Sequence, residues 1–203
     1  MRESWAPRDR MVYSAAQLVR ARGVASTGVR DVVEHADAPR GSFQHYFPGG
    51  KDQVVAEALG WAGGYAADWA TRYLEMAREP TPAGLFAHLV GQWRREFTRR
   101  GFDRGCPIMA AGAQTAAGDG VIADASRAAF ERWHLAVAEA LSGMGVGRAR
   151  GRALATLMLS TLEGAIMMAR LERSQRPLRV VLKELSPVLD SLGRVHPAAT
   201  LPT

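Results

Sequence analysis

The sequence holds one cysteine, Cys106, and only two lysines, Lys51 and Lys183. A lone thiol excludes an intramolecular disulfide and any zinc site built on several cysteines, and it fits a reducing compartment. Strand-like alternation and hairpin signals are missing, which argues against a sheet. There is no Gly-x-Ser-x-Gly, no phosphate loop and no His-Glu-x-x-His. His35, His45, His88, His134 and His196 lack metal-ligand spacing. The expectation is therefore no catalytic residue, no metal and no cofactor. The N-terminus carries no charged-then-apolar signal pattern. The longest low-charge stretch, 153–169, is broken by Ser160, Glu163 and Gly164, so it reads as a buried core helix rather than a membrane span. A cytoplasmic protein is expected.

What is present suits a folded chain. Its 203 residues are 47% hydrophobic and 23% charged, which fits one ordinary domain or a small module fused to a larger one. The net charge is +6 and nearly all the positive charge is arginine. A basic surface favours nucleic acid or an anionic membrane, although arginine-rich composition follows equally from genome base bias.

Glycine and proline clusters at Gly23, 48–50, 80–82, 101–105, 118–120, 143–147 and 174–177 divide the chain. Between them the apolar residues repeat every 3.6 positions. This predicts an all-α chain of about nine helices, near 7–22, 28–36, 39–47, 51–76, 82–99, 106–117, 120–142, 148–173 and 178–193. Thr27 is expected to cap the second helix. Pro39 suits the first position of a very short third helix. The segment 196–203 reads as a flexible tail.

Residues 27–47 read as helix, tight turn, helix, the pattern of a helix-turn-helix whose second helix enters the major groove. Val32, Val33 and Ala36 would hold the first of these helices, and Phe43 and Phe47, four apart, would anchor the second. Arg40, Ser42, Gln44, His45 and Tyr46 are left outward or at the edge. Arginine can fork to guanine, glutamine to adenine, and serine to base or phosphate. Thr27, Arg30, Tyr46 and Lys51 ring the unit with donors suited to phosphates. An ordinary polar helical corner would show the same spacing.

The string from Ala38 through Arg40-Gly41-Ser42-Phe43-Gln44-His45-Tyr46-Phe47 to Pro48-Gly49-Gly50-Lys51 resembles the N-terminal domain of the TetR family of bacterial repressors, in its LmrA/YxaF-like branch. Thr27-Gly28-Val29, Gly105-Cys106-Pro107 and Leu162-Glu163-Gly164-Ala165 are similar to the same branch. The strong match spans roughly the first quarter of the chain. It implies a helix-turn-helix domain over 1–52 and a ligand-binding and dimerisation domain over 53–195. By the resemblance, Thr27, Arg30, Pro39, Arg40, Ser42, His45, Tyr46 and Lys51 sit where relatives touch DNA. Two positions depart from the family pattern. Asp37 replaces the turn glycine, and aspartate tolerates a left-handed backbone better than most residues. Gln44 replaces a tyrosine, and it either reads an adenine or is solvated.

In the larger domain the stretch from about Leu154 to Met168 is apolar almost all round, so something must pack on each side. The simplest account pairs helices eight and nine with their copies, through Leu154, Thr161, Leu178, Val181, Leu182, Leu185 and Leu189. The alternative is that both are ordinary core. A pocket for a small molecule could be lined by Tyr65, Trp69, Trp93, Phe97, Met109, Phe130, Trp133, Met158, Glu163 and Met167, each of which also suits plain core. Glu163 wants an arginine, a cationic ligand, water or a subunit contact. Cys106, at a helix start, is either a reactive thiol or a small packed residue. The expected partners are double-stranded operator DNA, a second copy and a small ligand, with no membrane. The rival reading is a basic helical protein on anionic membranes, using Arg94-Arg95 and Arg99-Arg100 with Phe97 and Phe102.

Overall fold

The computed structural model describes residues 5–115 and 118–193. The expected tail over 196–203 lies outside them. Among the described residues there is no strand, and nine α-helices follow one another. They are α1 Pro7–Arg22, α2 Val29–His35, α3 Phe43–Tyr46, α4 Gly50–Met76, α5 Pro82–Arg100, α6 Pro107–Thr115, α7 Val121–Gly143, α8 Arg148–Glu172 and α9 Arg176–Gly193. The chain divides into two compact units. One joins Met1–Ala66 to Gly101–Trp133, and the other joins Ala67–Arg100 to His134–Thr203.

In the first unit, Pro7 opens α1 and Gly23 closes it at φ 82°, with the Gly23 N–H donating to Val19 O at 2.8 Å. Val12, Ala15, Ala16 and Val19 are all buried, as their spacing requires. The cap of α2 differs from expectation. Gly28 occupies the cap position and donates its N–H to the Asp31 carboxylate at 3.0 Å. Thr27 is fully buried instead, and its hydroxyl donates to Gly23 O at 2.7 Å. Asp31 wins because a carboxylate at the third helical position meets both the free N–H and the positive end of the helix dipole. Helix α4 lays Val54, Val55, Ala58, Leu59 and Ala62 into this core. Helix α6 returns to α1 over a long sequence distance. Arg20 and Gly105 exchange bonds, Arg20 Nε to Gly105 O at 2.8 Å and Gly105 N to Arg20 O at 3.0 Å.

In the second unit α8 and α5 pack with α9. Asp190 of α9 accepts the Ala83 N–H at 3.0 Å, capping the first turn of α5 with a negative charge. Gly151 brings α8 against α7, since a side chain there would stand 3.2 Å from Ala138 O. Helix α8 is long and apolar enough by length and composition to cross a membrane, but 44% of its apolar window is buried within the chain.

Candidate nucleic-acid interface

The segment expected from the sequence to read DNA begins with a 3-10 turn over Arg40–Ser42 and becomes α-helical over Phe43–Tyr46. The whole is shorter and tighter at its start than one continuous helix from Pro39. Ser42 explains part of this, because its hydroxyl donates to Pro39 O at 2.7 Å and draws the first turn in. Phe43 and Phe47 are buried with ring centroids 5.2 Å apart. They fix which face of the short helix turns inward. Gln44 and His45 are exposed on the other face, Tyr46 is half-buried, and His45 and Tyr46 meet edge to face at 5.2 Å. Pro39 and Arg30 are exposed, and Ser42 and Lys51 are half-buried. The Arg40 side chain lies outside what the structure describes. Thr27 is enclosed and its backbone N–H donates to Val24 O at 3.1 Å, so neither of its polar groups faces outward.

The turn before this segment carries backbone strain. Asp37 has φ 48°, the left-handed region expected from its place in the turn. One residue that sequence reading missed holds it. Arg10 of α1 donates to Ala36 O at 2.9 Å, Asp37 O at 2.9 Å and Trp5 O at 3.1 Å. A guanidinium fork thus ties two carbonyls at the end of α2 to one just before α1. No local spacing could have announced a contact 26 residues away.

The corner after the segment is also braced. Gln53 accepts the Gly49 N–H at 2.9 Å and donates to Glu57 at 3.0 Å, and Glu57 meets Arg8 at 2.6 Å. Arg8 in turn lies 5.3 Å over the Phe47 ring. The Lys51 ammonium rests 3.4 Å from Ala25 O, a long contact that leaves it able to turn to another acceptor. Gln44 Nε2 rests similarly, 3.3 Å from Pro48 O. Donors lie on both sides of a short outward helix whose inward face is locked by two phenyl rings. That arrangement can present an amide to a base edge and cations to phosphates.

The proposed pocket residues fall in both units. In the first, Trp133 is buried, Phe130 half-buried, and Met109 and Tyr65 are 42% and 44% exposed, with Tyr65 stacked on Trp61. The Trp133 indole N–H has no hydrogen-bond partner among the described residues. In the second, Trp93 and Phe97 meet at 5.8 Å and Met158 is fully buried, whereas Met167 is 53% exposed. Trp69 and Tyr73 flank His88 at 5.2 and 5.7 Å. Burial, aided by the charge of Arg95, pushes the His88 imidazole below its ordinary pKa. Glu163 has one carboxylate oxygen enclosed. Cys106 is buried, which shields a thiol from oxidants. Among the described residues no group of three or more His, Cys, Asp or Glu could hold a metal.

The candidates for pairing divide sharply. Leu154, Leu178 and Leu189 are enclosed by their own chain. A side chain already covered has no surface left for a second copy. Thr161, Val181, Leu182 and Leu185 are half-buried. Among the described residues, the exposed large apolar side chains of α8 and α9 are Met167, Met168, Leu171, Val180 and Val188. On α8, Ser160, Gly164, Met167, Met168 and Leu171 follow at helical spacing, and open space surrounds Gly164.

Comparison with known proteins gives a consistent result. Residues 13–58 match the family model described as bacterial regulatory proteins, tetR family. Residues 82–184 match the C-terminal domain of LmrA/YxaF-like transcriptional regulators. The chain is 40% identical over 192 residues to the HTH-type transcriptional regulator Rv0196 of Mycobacterium tuberculosis, covering 90% of this chain and 94% of the relative. It is 25% identical over 183 residues to the regulator YxaF of Bacillus subtilis, with the same coverage. Its fold matches a crystal structure of regulatory protein TetR from Rhodobacter sphaeroides at TM-score 0.76 and 22% identity, over 88% of this chain and 96% of that one.

Proposed function

The chain belongs to the TetR family of bacterial transcriptional regulators, in its LmrA/YxaF-like branch, and from that premise we propose a ligand-released repressor that binds a near-palindromic operator as a homodimer. The observation that carries this reading is the short outward helix with Gln44 and His45 exposed above buried Phe43 and Phe47. In the proposal, residues 1–52 read DNA and 53–195 pair and bind a small molecule. Gln44 and Arg40 read base edges, while Arg30, His45, Tyr46 and Lys51 position phosphates. Thr27 serves the fold, since it is buried. The protein works in the cytoplasm, with no catalytic, metal or membrane role.

Pairing has a physical reason. A reading segment of seven residues, Arg40–Tyr46, spans too few bases alone, and two copies would read half-sites about 34–36 Å apart or a multiple of that. The face proposed for pairing is the outer stripe of α8 through Gly164, Met167, Met168 and Leu171, with Val180 and Val188 of α9. Exposed methionines, leucine and valines on two long helices are surface that water covers poorly. A ligand that favours a different separation of the two reading segments would weaken operator binding, and by linkage would bind the DNA complex less tightly.

Selection of bound sequences from a random DNA pool, in about 150 mM salt to suppress non-specific attraction, tests the reading. An enriched two-fold motif is expected. Tight, salt-sensitive binding with no enriched motif would overturn it.

A further inference from the structure

A groove of about 320 Å³ opens on the second unit, lined by Gly91, Arg94, Arg95, Thr98, Arg99 and Gln175. This is near the lower end of small-molecule sites. Three of the six lining residues are arginine and none is acidic. Glu96 of α5 lies 3.7 Å from Arg100, and Glu172 of α8 is paired through both oxygens with Arg176. Among the described residues Arg99 has no ion-pair partner, and Arg95 rests its guanidinium 5.5 Å over the Trp69 ring. Arg95 and Arg99 stand one helical turn apart, a like-charge pair that weakens α5 unless an anion lies between them.

The groove is braced. Gln175, at the start of α9, accepts from Arg94 Nε at 3.4 Å and donates to Arg94 O at 3.2 Å and Thr98 Oγ1 at 2.9 Å. Thr98 donates back to Arg94 O at 2.9 Å. These bonds tie the wall to α5 and leave the terminal nitrogens of Arg94 for a ligand. Gly91 lines the groove, and the first carbon of a side chain there would meet only Arg95 Nη1, at 3.4 Å.

We propose that this groove is a binding site for a small molecule carrying at least two anionic groups, phosphate or carboxylate, gripped by the forks of Arg94, Arg95 and Arg99. Two anionic groups are needed because one would leave the three guanidinium charges largely unbalanced. Planar forks match carboxylate and phosphate oxygens two at a time. The site is distinct from the DNA-reading segment and does not depend on which operator the chain reads.

The test is calorimetric titration of the full chain, without DNA, at constant ionic strength, with pyrophosphate and with citrate. One saturable site per chain is expected for at least one of them. The paired change Arg95→Gln with Arg99→Gln should weaken it at least about tenfold, as loss of charge-assisted bonds does. Gly91→Leu should weaken it similarly by filling part of the groove without altering charge, and it decides the matter if the arginine variant fails to fold. Arg127→Gln, which removes an exposed charge that does not line the groove, should leave affinity within about twofold, since a screened surface charge outside a site contributes little. Preference for pyrophosphate assigns phosphorylated ligands, and preference for citrate assigns polycarboxylates. The proposal is overturned if neither anion binds saturably, or if Gly91→Leu binds as the native chain does. Equal weakening by Arg127→Gln also overturns it, since diffuse charge would then suffice.

Discussion

Replacing Arg10 with alanine should loosen the turn before the proposed reading helix. Three carbonyls lose a charged donor, at 2.9, 2.9 and 3.1 Å. A hydrogen bond to a charged group contributes about 1.5–3 kcal/mol where water cannot replace it. Only the bond to Ala36 O is part-buried, while those to Asp37 O and Trp5 O are exposed. Water takes over most of the latter two, so a total near 2 kcal/mol is expected. For a chain of this length that corresponds to a fall in Tm of about 4–8 °C. Arg10→Lys should recover less than half, because an ammonium is a point donor and cannot span a fork of carbonyls. Thermal melts followed by far-ultraviolet circular dichroism measure both variants. Because Asp37 holds a left-handed backbone, the same loss should appear in operator affinity, as the turn must be re-ordered on binding. A melt of Arg10→Ala within about 1 °C of the native chain, outside the range expected for such bonds, would show that the Arg10 fork does not hold the turn.

Other outcomes follow from the same geometry. Lys51→Ala should weaken binding to all DNA and flatten the salt slope by about one unit, whereas Gln44→Ala should relax preference at one base pair by about 1–3 kcal/mol if its contact is bidentate; gel-shift titrations over a salt series separate the two. Gly63→Ala should destabilise by about 1–3 kcal/mol, because its new carbon would stand 2.8 Å from the Ala129 backbone. Gly60→Ala on the same helix meets nothing within 4 Å and should gain up to about 1 kcal/mol, both measurable by urea melts. Met168→Glu with Leu171→Glu should yield a monomer in sedimentation velocity while circular dichroism stays native, since both side chains are exposed. His88 has a folded pKa below 6.5, so the unfolded chain binds more protons just below that pH. Its contribution is present above pH 6.5 and lost as the pH falls through the folded value, and His88→Gln should flatten that part of a stability profile.

The helices were legible because each buries one face at a constant spacing between glycine or proline breaks. Val12, Ala15, Ala16 and Val19 fall inside as read, and Gly23 ends α1 as read. The reading segment was legible through Phe43 and Phe47, whose spacing alone fixes the inward side. Failures came where several partners could serve one need. Both Thr27 and Asp31 could have satisfied the N–H at the start of α2, and only the fold decides between them. Leu154, Leu178 and Leu189 were expected at a subunit face because an apolar stripe does not say whose surface covers it. Arg10 was invisible because its acceptors are backbone atoms, which every sequence has.

The clasp between α1 and the start of α6 bears on how the chain is born. Arg20 and Gly105 are 85 residues apart, and Gln114 accepts the Ala25 N–H across 89. A side chain at Gly23 would strike that same Gln114 amide at 2.1 Å, so the glycine is shaped to a partner not yet made when it leaves the ribosome. At about 5–20 residues per second, the partner follows roughly four to eighteen seconds later. Closing a loop of that length costs about 4 kcal/mol of chain entropy before the constant term. Through that interval the end of α1 around Gln17, Arg20 and Gly23 lacks its cover, and a nascent chain stalled before residue 105 holds every residue of the reading segment without the contacts that finish its frame.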